Sequence, residues 1–115
     1  MPKARSPVSF EEWELERIRG STAVVTTIGR DGAPHAAPVR MNIEDGALRF
    51  ETNSDSQKLR NIDRDSRVAI LVHGPPKWGV LVKGRAEILS RGVGKEQTQL
   101  RVVPERKASW RRKEG

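Results

Sequence analysis

The run TAVVTTIGRDGAPHAAPVRMNIEDGALRFET, residues 22–52, constrains the fold more than any other stretch of the chain. Its β-branched segments are cut by Asp31-Gly32 and Asp45-Gly46, and glycine accepts the positive φ that tight hairpins demand. Three antiparallel strands are expected, at about Ala23 to Ile28, His35 to Ile43 and Ala47 to Thr52. In the second, Val39, Met41 and Ile43 alternate with Arg40 and Asn42, so a period of two sends Arg40 and Asn42 to one shared face. In the third, Leu48 and Phe50 alternate with Arg49 and Glu51. Each strand thus has an apolar side and a wet or ligand-facing side.

The flanking segments fit around this meander. SFEEWELERIRG, residues 9–20, has the capping-box spacing Ser9 to Glu12 and a terminating Gly20, which predicts a short helix. Its Trp13, Leu15 and Ile18 form too narrow an apolar stripe for a central position, so the helix is expected across one end of the fold. A second helix follows TNSDSQKLRN, residues 52–61, with Leu59 and Ile62 spaced to reach the core. RVAILVHG, residues 67–74, is apolar almost throughout and reads as a strand buried on both faces, broken by Pro75-Pro76. WGVLVKGRAEIL alternates Val80, Val82, Ala86 and Ile88 against Lys83, Arg85 and Glu87, with Gly84 placed where a barrel strand bends. QTQLRVVP supplies a last strand, stopped by Pro104. Six strands with hairpin connections and one inserted helix predict a mainly β fold, a small closed or split antiparallel barrel with short helices. The whole chain, 1–115, reads as a single domain: an N-terminal helix within 1–20, the barrel over 21–104 and a basic tail over 105–115.

Composition limits the chemistry. With no cysteine there is no disulfide and no thiolate metal site, and His35 and His73, the only histidines, stand without carboxylates at ligand spacing, so no metal is expected. No stretch approaches the roughly 20 apolar residues of a membrane span, and MPKARSPVSF lacks the apolar core of a signal peptide. A cytoplasmic protein is expected. Hydrophobic residues are 35% of the chain against 32% charged, a small core that favours a dimer. The net charge of +7 is uneven: the first twenty residues are balanced, whereas the last 21 carry +4. Trp110 among those basic residues raises a nucleic-acid arm as a third-ranked reading, set against a solvated terminus.

The segment TNSDSQK supports two readings. Ser54 or Ser56 caps the second helix, or the unpaired N–H groups and partial positive charge of the helix mouth, with hydroxyls and Lys58, hold an anion. Arg40 and Asn42 are likewise either a polar outer face or ligand contacts. There is no serine-nucleophile motif, no GxxxxGK loop and no paired-carboxylate pattern, so no catalytic acid or base is named. Trp13 and Trp78 read as core or end-plug residues.

Taken together, residues 22–89, VKGRAEIL included, with VVPERKASW resemble the pyridoxamine-phosphate-oxidase-like split-barrel family, which includes flavin-binding enzymes and deazaflavin (F420)-dependent oxidoreductases of actinobacteria. The resemblance implies a six-stranded antiparallel split β-barrel, a homodimer with cofactor sites at the subunit interface, and hydride transfer to a small-molecule substrate. The cofactor is FMN or, alternatively, F420. It also implies that Val39, Arg40, Met41 and Asn42 line the cofactor ring, that Thr52, Ser56 and Lys58 hold the phosphate, and that Trp110 lies near the cofactor. Gln57 stands where the oxidase members carry an arginine, which removes a bidentate fork from the cradle. Between Leu89 and Gln97 the chain supplies a loop where the family often inserts a helix. The family's C-terminal arginine and histidine motif has no counterpart, so true pyridoxamine-phosphate oxidase activity is not expected. The alternative in a different class is a non-catalytic barrel that binds flavin, F420 or haem.

Overall fold

The structure, a computed structural model, describes residues 8–112. Helix α1 (Glu12–Ile18) leads into β1 (Ser21–Ile28), β2 (Pro34–Glu44) and β3 (Ala47–Asn53); α2 (Gln57–Arg64) then connects to β4 (Arg67–Gly74), β5 (Trp78–Ser90) and β6 (Gln97–Trp110). The strands close into an antiparallel barrel in the order β1-β2-β3-β6-β5-β4. Asp45 and Gly46 both take positive φ, 52° and 78°, which makes the tight β2–β3 hairpin that their sequence demands. The β2–β3 ladder holds only from Asn42↔Arg49 to Glu44↔Ala47, whereas β5 and β6 pair almost end to end.

Alternation fills the interior. Ala23 and Val25 of β1, Val39 and Met41 of β2, Leu48 and Phe50 of β3, Val68, Ile70 and Val72 of β4, Val80 and Val82 of β5, and Leu100 and Val102 of β6 form one buried cluster. The two helices close its ends. Ile18 enters from α1, whose exit leads directly into β1; Leu59 and Ile62 enter from α2, which is tied to the other end of β1 by the bond from Asn61 Nδ2 to Thr27 Oγ1, 3.0 Å. Trp13 and Trp78 pack at the α1 end, with the Arg111 guanidinium 4.8 Å from the Trp13 ring and that of Arg17 4.9 Å from the Trp78 ring. No helix among the described residues is long and apolar enough to cross a membrane.

Three local expectations are corrected. The capping box of α1 is made by Glu11 and Glu14, not by Ser9 and Glu12, because Glu14 Oε1 reaches back to Glu11 N at 2.8 Å and the helix begins later. The final strand does not stop at Pro104, and residues 105–110, expected as part of the tail, continue β6 to Trp110. Proline lacks an N–H and is tolerated in a sheet at a bulge. Here the register shifts so that Glu105 is skipped: Lys83 pairs with Arg106 and Gly84 with Pro104. Gly84 is required at that bend, since a Cβ would collide with the Val103 carbonyl.

The third correction concerns β4. Only its inner face is buried; Ala69 and Leu71 on the outer face are half-buried, because the helices plug the ends of the barrel and leave its wall uncovered. The pairing registers align Leu71 with Val24 and Pro38 on one side and with Leu81 and Ala108 on the other. An apolar row therefore crosses the outer wall over five strands.

Candidate functional site

A site with free donors lies where β3 hands over to α2. Asn53 O accepts from Ser56 N at 3.0 Å, a turn that brings Ser56 to the N-cap of α2. Ser56 Oγ accepts from Leu59 N at 3.2 Å and from Thr52 Oγ1 at 3.1 Å, so its own proton is left to donate. The capping reading of Ser56 is therefore correct, and it is compatible with an anion at the same mouth. Leu59 N is capped and Arg60 N bonds Ser56 O; the N–H groups of Gln57 and Lys58 have no partner among the described residues. The Lys58 ammonium, half-buried, is also without a partner among the described residues. Two amides, one hydroxyl proton and one ammonium are a donor set that fits a phosphate ester. Ser54, by contrast, is spent on Glu96 O and Thr98 Oγ1, both at 2.8 Å.

Beside this mouth runs a groove of about 490 Å³ on the outer wall, lined by Arg40, Asn42, Arg49, Phe50, Glu51 and Gln99 among others. Its floor exists because the β2–β3 ladder lapses beyond Asn42↔Arg49. The groove includes Gln97, whose Nε2 donates to Asn53 Oδ1 at 2.6 Å, and that bond links it to the turn before α2. Arg40 donates to Gly20 O at 2.7 Å and Asn42 Oδ1 accepts from Gly20 N at 3.3 Å, so both also fasten the α1 exit. Their remaining N–H groups border the groove. Val39 and Met41 point the other way, into the core, and Thr52 is buried.

Two further sequence candidates, Gln57 and Trp110, are also turned or placed away from the mouth. Gln57 turns along the helix, donating to Asn61 Oδ1 at 2.8 Å and accepting from Arg60 at 3.2 Å. Trp110 is 47% exposed and lies over Gly79 at the far end of β6, whereas Thr52 pairs with Thr98 near its beginning. At about 3.3 Å per residue, some 40 Å of strand separates them. One chain alone does not bring Trp110 to the mouth of α2.

Sequence reasoning missed the basic face of α2. Gln57, Arg60, Asn61 and Arg64 follow the i, i+3, i+4, i+7 spacing of a single helical stripe, and that spacing was the available signal. Among the described residues no three His, Asp or Glu side chains gather as a metal site.

The profile of the pyridoxamine 5'-phosphate oxidase family matches residues 11–114. The chain belongs to that family. It is 30% identical over 118 aligned positions to a 5a,11a-dehydrotetracycline/5a,11a-dehydrooxytetracycline reductase of Streptomyces rimosus, an alignment covering 88% of this chain and 82% of the relative. The crystal structure of a conserved hypothetical protein from Mycobacterium tuberculosis is similar at 27% identity, with a TM-score of 0.72, covering 95% of this chain and 89% of the other. An F420 reductase superposes with a TM-score of 0.73 at 20% identity over 87% of this chain and 98% of its own, a likeness of fold. The family's frequent helix before the last strand is replaced here by a turn in which Glu96 N bonds Val93 O at 3.1 Å.

Proposed function

We propose that the protein is a dimeric oxidoreductase that holds FMN or F420 and reduces a small molecule. The observation that carries this reading is the donor set in the first turn of α2, where the amides of Gln57 and Lys58, the Ser56 hydroxyl proton and the Lys58 ammonium have no partner among the described residues. A bound flavin or deazaflavin supplies the hydride chemistry. The chain's own residues bind and orient: Lys58 neutralises the phosphate, the helix mouth fixes its position, and the spare N–H groups of Arg40 and Asn42 face the groove beside it. No side chain in the groove is assigned proton transfer, and solvent serves for any proton required. The reductase activity of the Streptomyces rimosus relative supports the reaction class.

The outer wall supports the dimer. Val24, Leu71 and Leu81 are half-buried in the single chain, and a second copy seated on their row removes them from water, at about 25 cal/mol per Å² of apolar surface. It also gives Trp110, exposed at the far end of β6, a route to a cofactor, namely that of the partner.

A second reading, binding without turnover of a flavin, F420 or haem, draws on Gln57, which supplies no charge and turns its side chain away along α2. Absorbance and mass spectrometry of the purified protein, followed by thermal-shift titration with FMN and with F420, test the first reading. A colourless protein whose melting temperature neither cofactor moves rejects both flavin readings; binding without NAD(P)H- or reduced-F420-linked reduction of test quinones selects the second.

A further inference from the structure

We propose that the trough between the β1–β2 turn and the flank of α2 is a separate anion site, taking a multiply charged phosphate or carboxylate anion on Arg30, Arg60 and Arg64. It does not depend on the cofactor reading. The trough comprises two cavities of about 630 and 460 Å³ that lie side by side, both lined by Arg30 and Gln57. The first also exposes Arg60, Asp63 and Arg64, and the second His35 and Asn61.

Two of the three cationic groups, Arg60 and Arg64, are held in place by hydrogen bonds. One edge of Arg64 donates to Ile28 O and to Asn61 Oδ1, both at 3.1 Å. Arg60 donates to Asp55 O at 2.6 Å and to Gln57 Oε1 at 3.2 Å. Behind them Asn61 is fully buried and anchored to Thr27, so the stripe cannot slide along β1. Each guanidinium carries five N–H donors and spends only some of them internally. Arg30, at the tip of the turn, has no partner among the described residues.

Charge counting favours an anion. Two carboxylates line the trough, Asp31 and Asp63. Asp63 is already neutralised by Arg91, with bonds of 2.8 and 3.3 Å, which leaves three guanidiniums against the single charge of Asp31. Planar guanidinium forks match the paired oxygens of phosphate and carboxylate. A trough of this length with several forks suits an anion bearing two or more such groups. Gln57 borders both the trough and the α2 mouth, but Ser56 and Lys58 do not line the trough, so its charge comes from a different set of side chains.

The test is calorimetric titration of the full chain with inorganic pyrophosphate and with citrate, at matched ionic strength, for wild type, Arg30→Gln, Arg60→Gln and Lys58→Ala. Wild type is expected to bind at least one probe above the ionic-strength control, and Arg30→Gln and Arg60→Gln each to weaken that binding about tenfold or more, the scale of a charged hydrogen bond. Lys58→Ala is expected to retain a site that Arg30→Gln loses. Preference for pyrophosphate identifies a phosphate ligand and preference for citrate a carboxylate one; either supports the site. Absence of binding to both, binding unchanged in Arg30→Gln, or complete loss in Lys58→Ala overturns it. Arg30 has no hydrogen bond or ion pair among the described residues, so its variant decides the matter even if Arg60→Gln fails to fold.

Discussion

Glu14 and Lys107 meet 2.6 Å apart where α1 closes the barrel, and the carboxylate is entirely buried. Lys107 Nζ also donates to Ser9 O at 2.9 Å and lies 5.5 Å from the Phe10 ring, while Glu14 Oε1 accepts from Glu11 N. A residue of the expected basic tail thus anchors the helix at the opposite end of the sequence. The segment that raised a nucleic-acid arm is largely a structural strand, with Lys107 committed to Glu14 and Arg111 to Trp13.

Removing the cation strands a buried charge. Lys107→Ala is expected to lower unfolding stability by about 3 kcal/mol, the lower part of the range for a broken buried pair because the ammonium is partly reached by water. Replacing both partners, Glu14→Gln with Lys107→Met, is expected to recover most of that loss. Urea denaturation midpoints measure both; a single variant as stable as wild type contradicts the anchoring role.

Acid should weaken the same contact. Burial alone would raise the Glu14 carboxyl, but hydrogen bonds from Lys107, Ser109 and the Glu11 N–H outweigh it and hold it below its ordinary value of 4.5. Asp65, hydrogen-bonded by the Arg67 side chain and N–H, is lowered from 3.8 to about 2. A carboxylate depressed in the fold takes up its proton at higher pH in the unfolded chain, so its stabilisation is full above the unfolded value and fades as pH falls through the folded one. Stability is therefore expected to decline from about pH 4.5 downward, and Glu14→Gln to flatten the slope. An unchanged slope in denaturation series across that window counts against it.

Much of the fold was legible because it rests on local rules. Asp45-Gly46 named its hairpin, and the alternation of Val39, Met41, Leu48 and Phe50 named the inner wall. What was illegible depended on partners distant in sequence. Pro104 continues its strand only because Gly84, on the neighbouring strand, leaves room for a bulge, and Glu14 is buried only because Lys107 arrives from β6. At the candidate site, Ser56 was readable from helix-capping chemistry. The direction of Gln57 was not, since it is decided by Asn61 and Arg60 one turn later.

Gly84 gives a sharp check on the bulge. Gly84→Ala places a methyl against the Val103 carbonyl and is expected to cost about 1–3 kcal/mol, as for overpacking elsewhere. Thermal unfolding monitored by circular dichroism measures it, and a melting temperature equal to wild type means that β5 and β6 do not cross as described.

The outer apolar row predicts self-association. Leu71→Asp, at the middle of the row, is expected to convert a dimer into a monomer in analytical ultracentrifugation while retaining the β signature of the fold. A wild type that sediments as a monomer, or a dimer indifferent to the substitution, removes the proposed interface.

The account depends most on Lys58 and the open mouth of α2. Equilibrium titration of FMN and of F420 into wild type and Lys58→Ala, with folding of both confirmed, tests it most directly. The expected result is saturable binding of at least one cofactor to wild type, weakened by roughly 1.5 to 3 kcal/mol in the variant, the worth of a hydrogen bond to a charged group. Identical affinities in the two proteins, or no affinity in either, would contradict it.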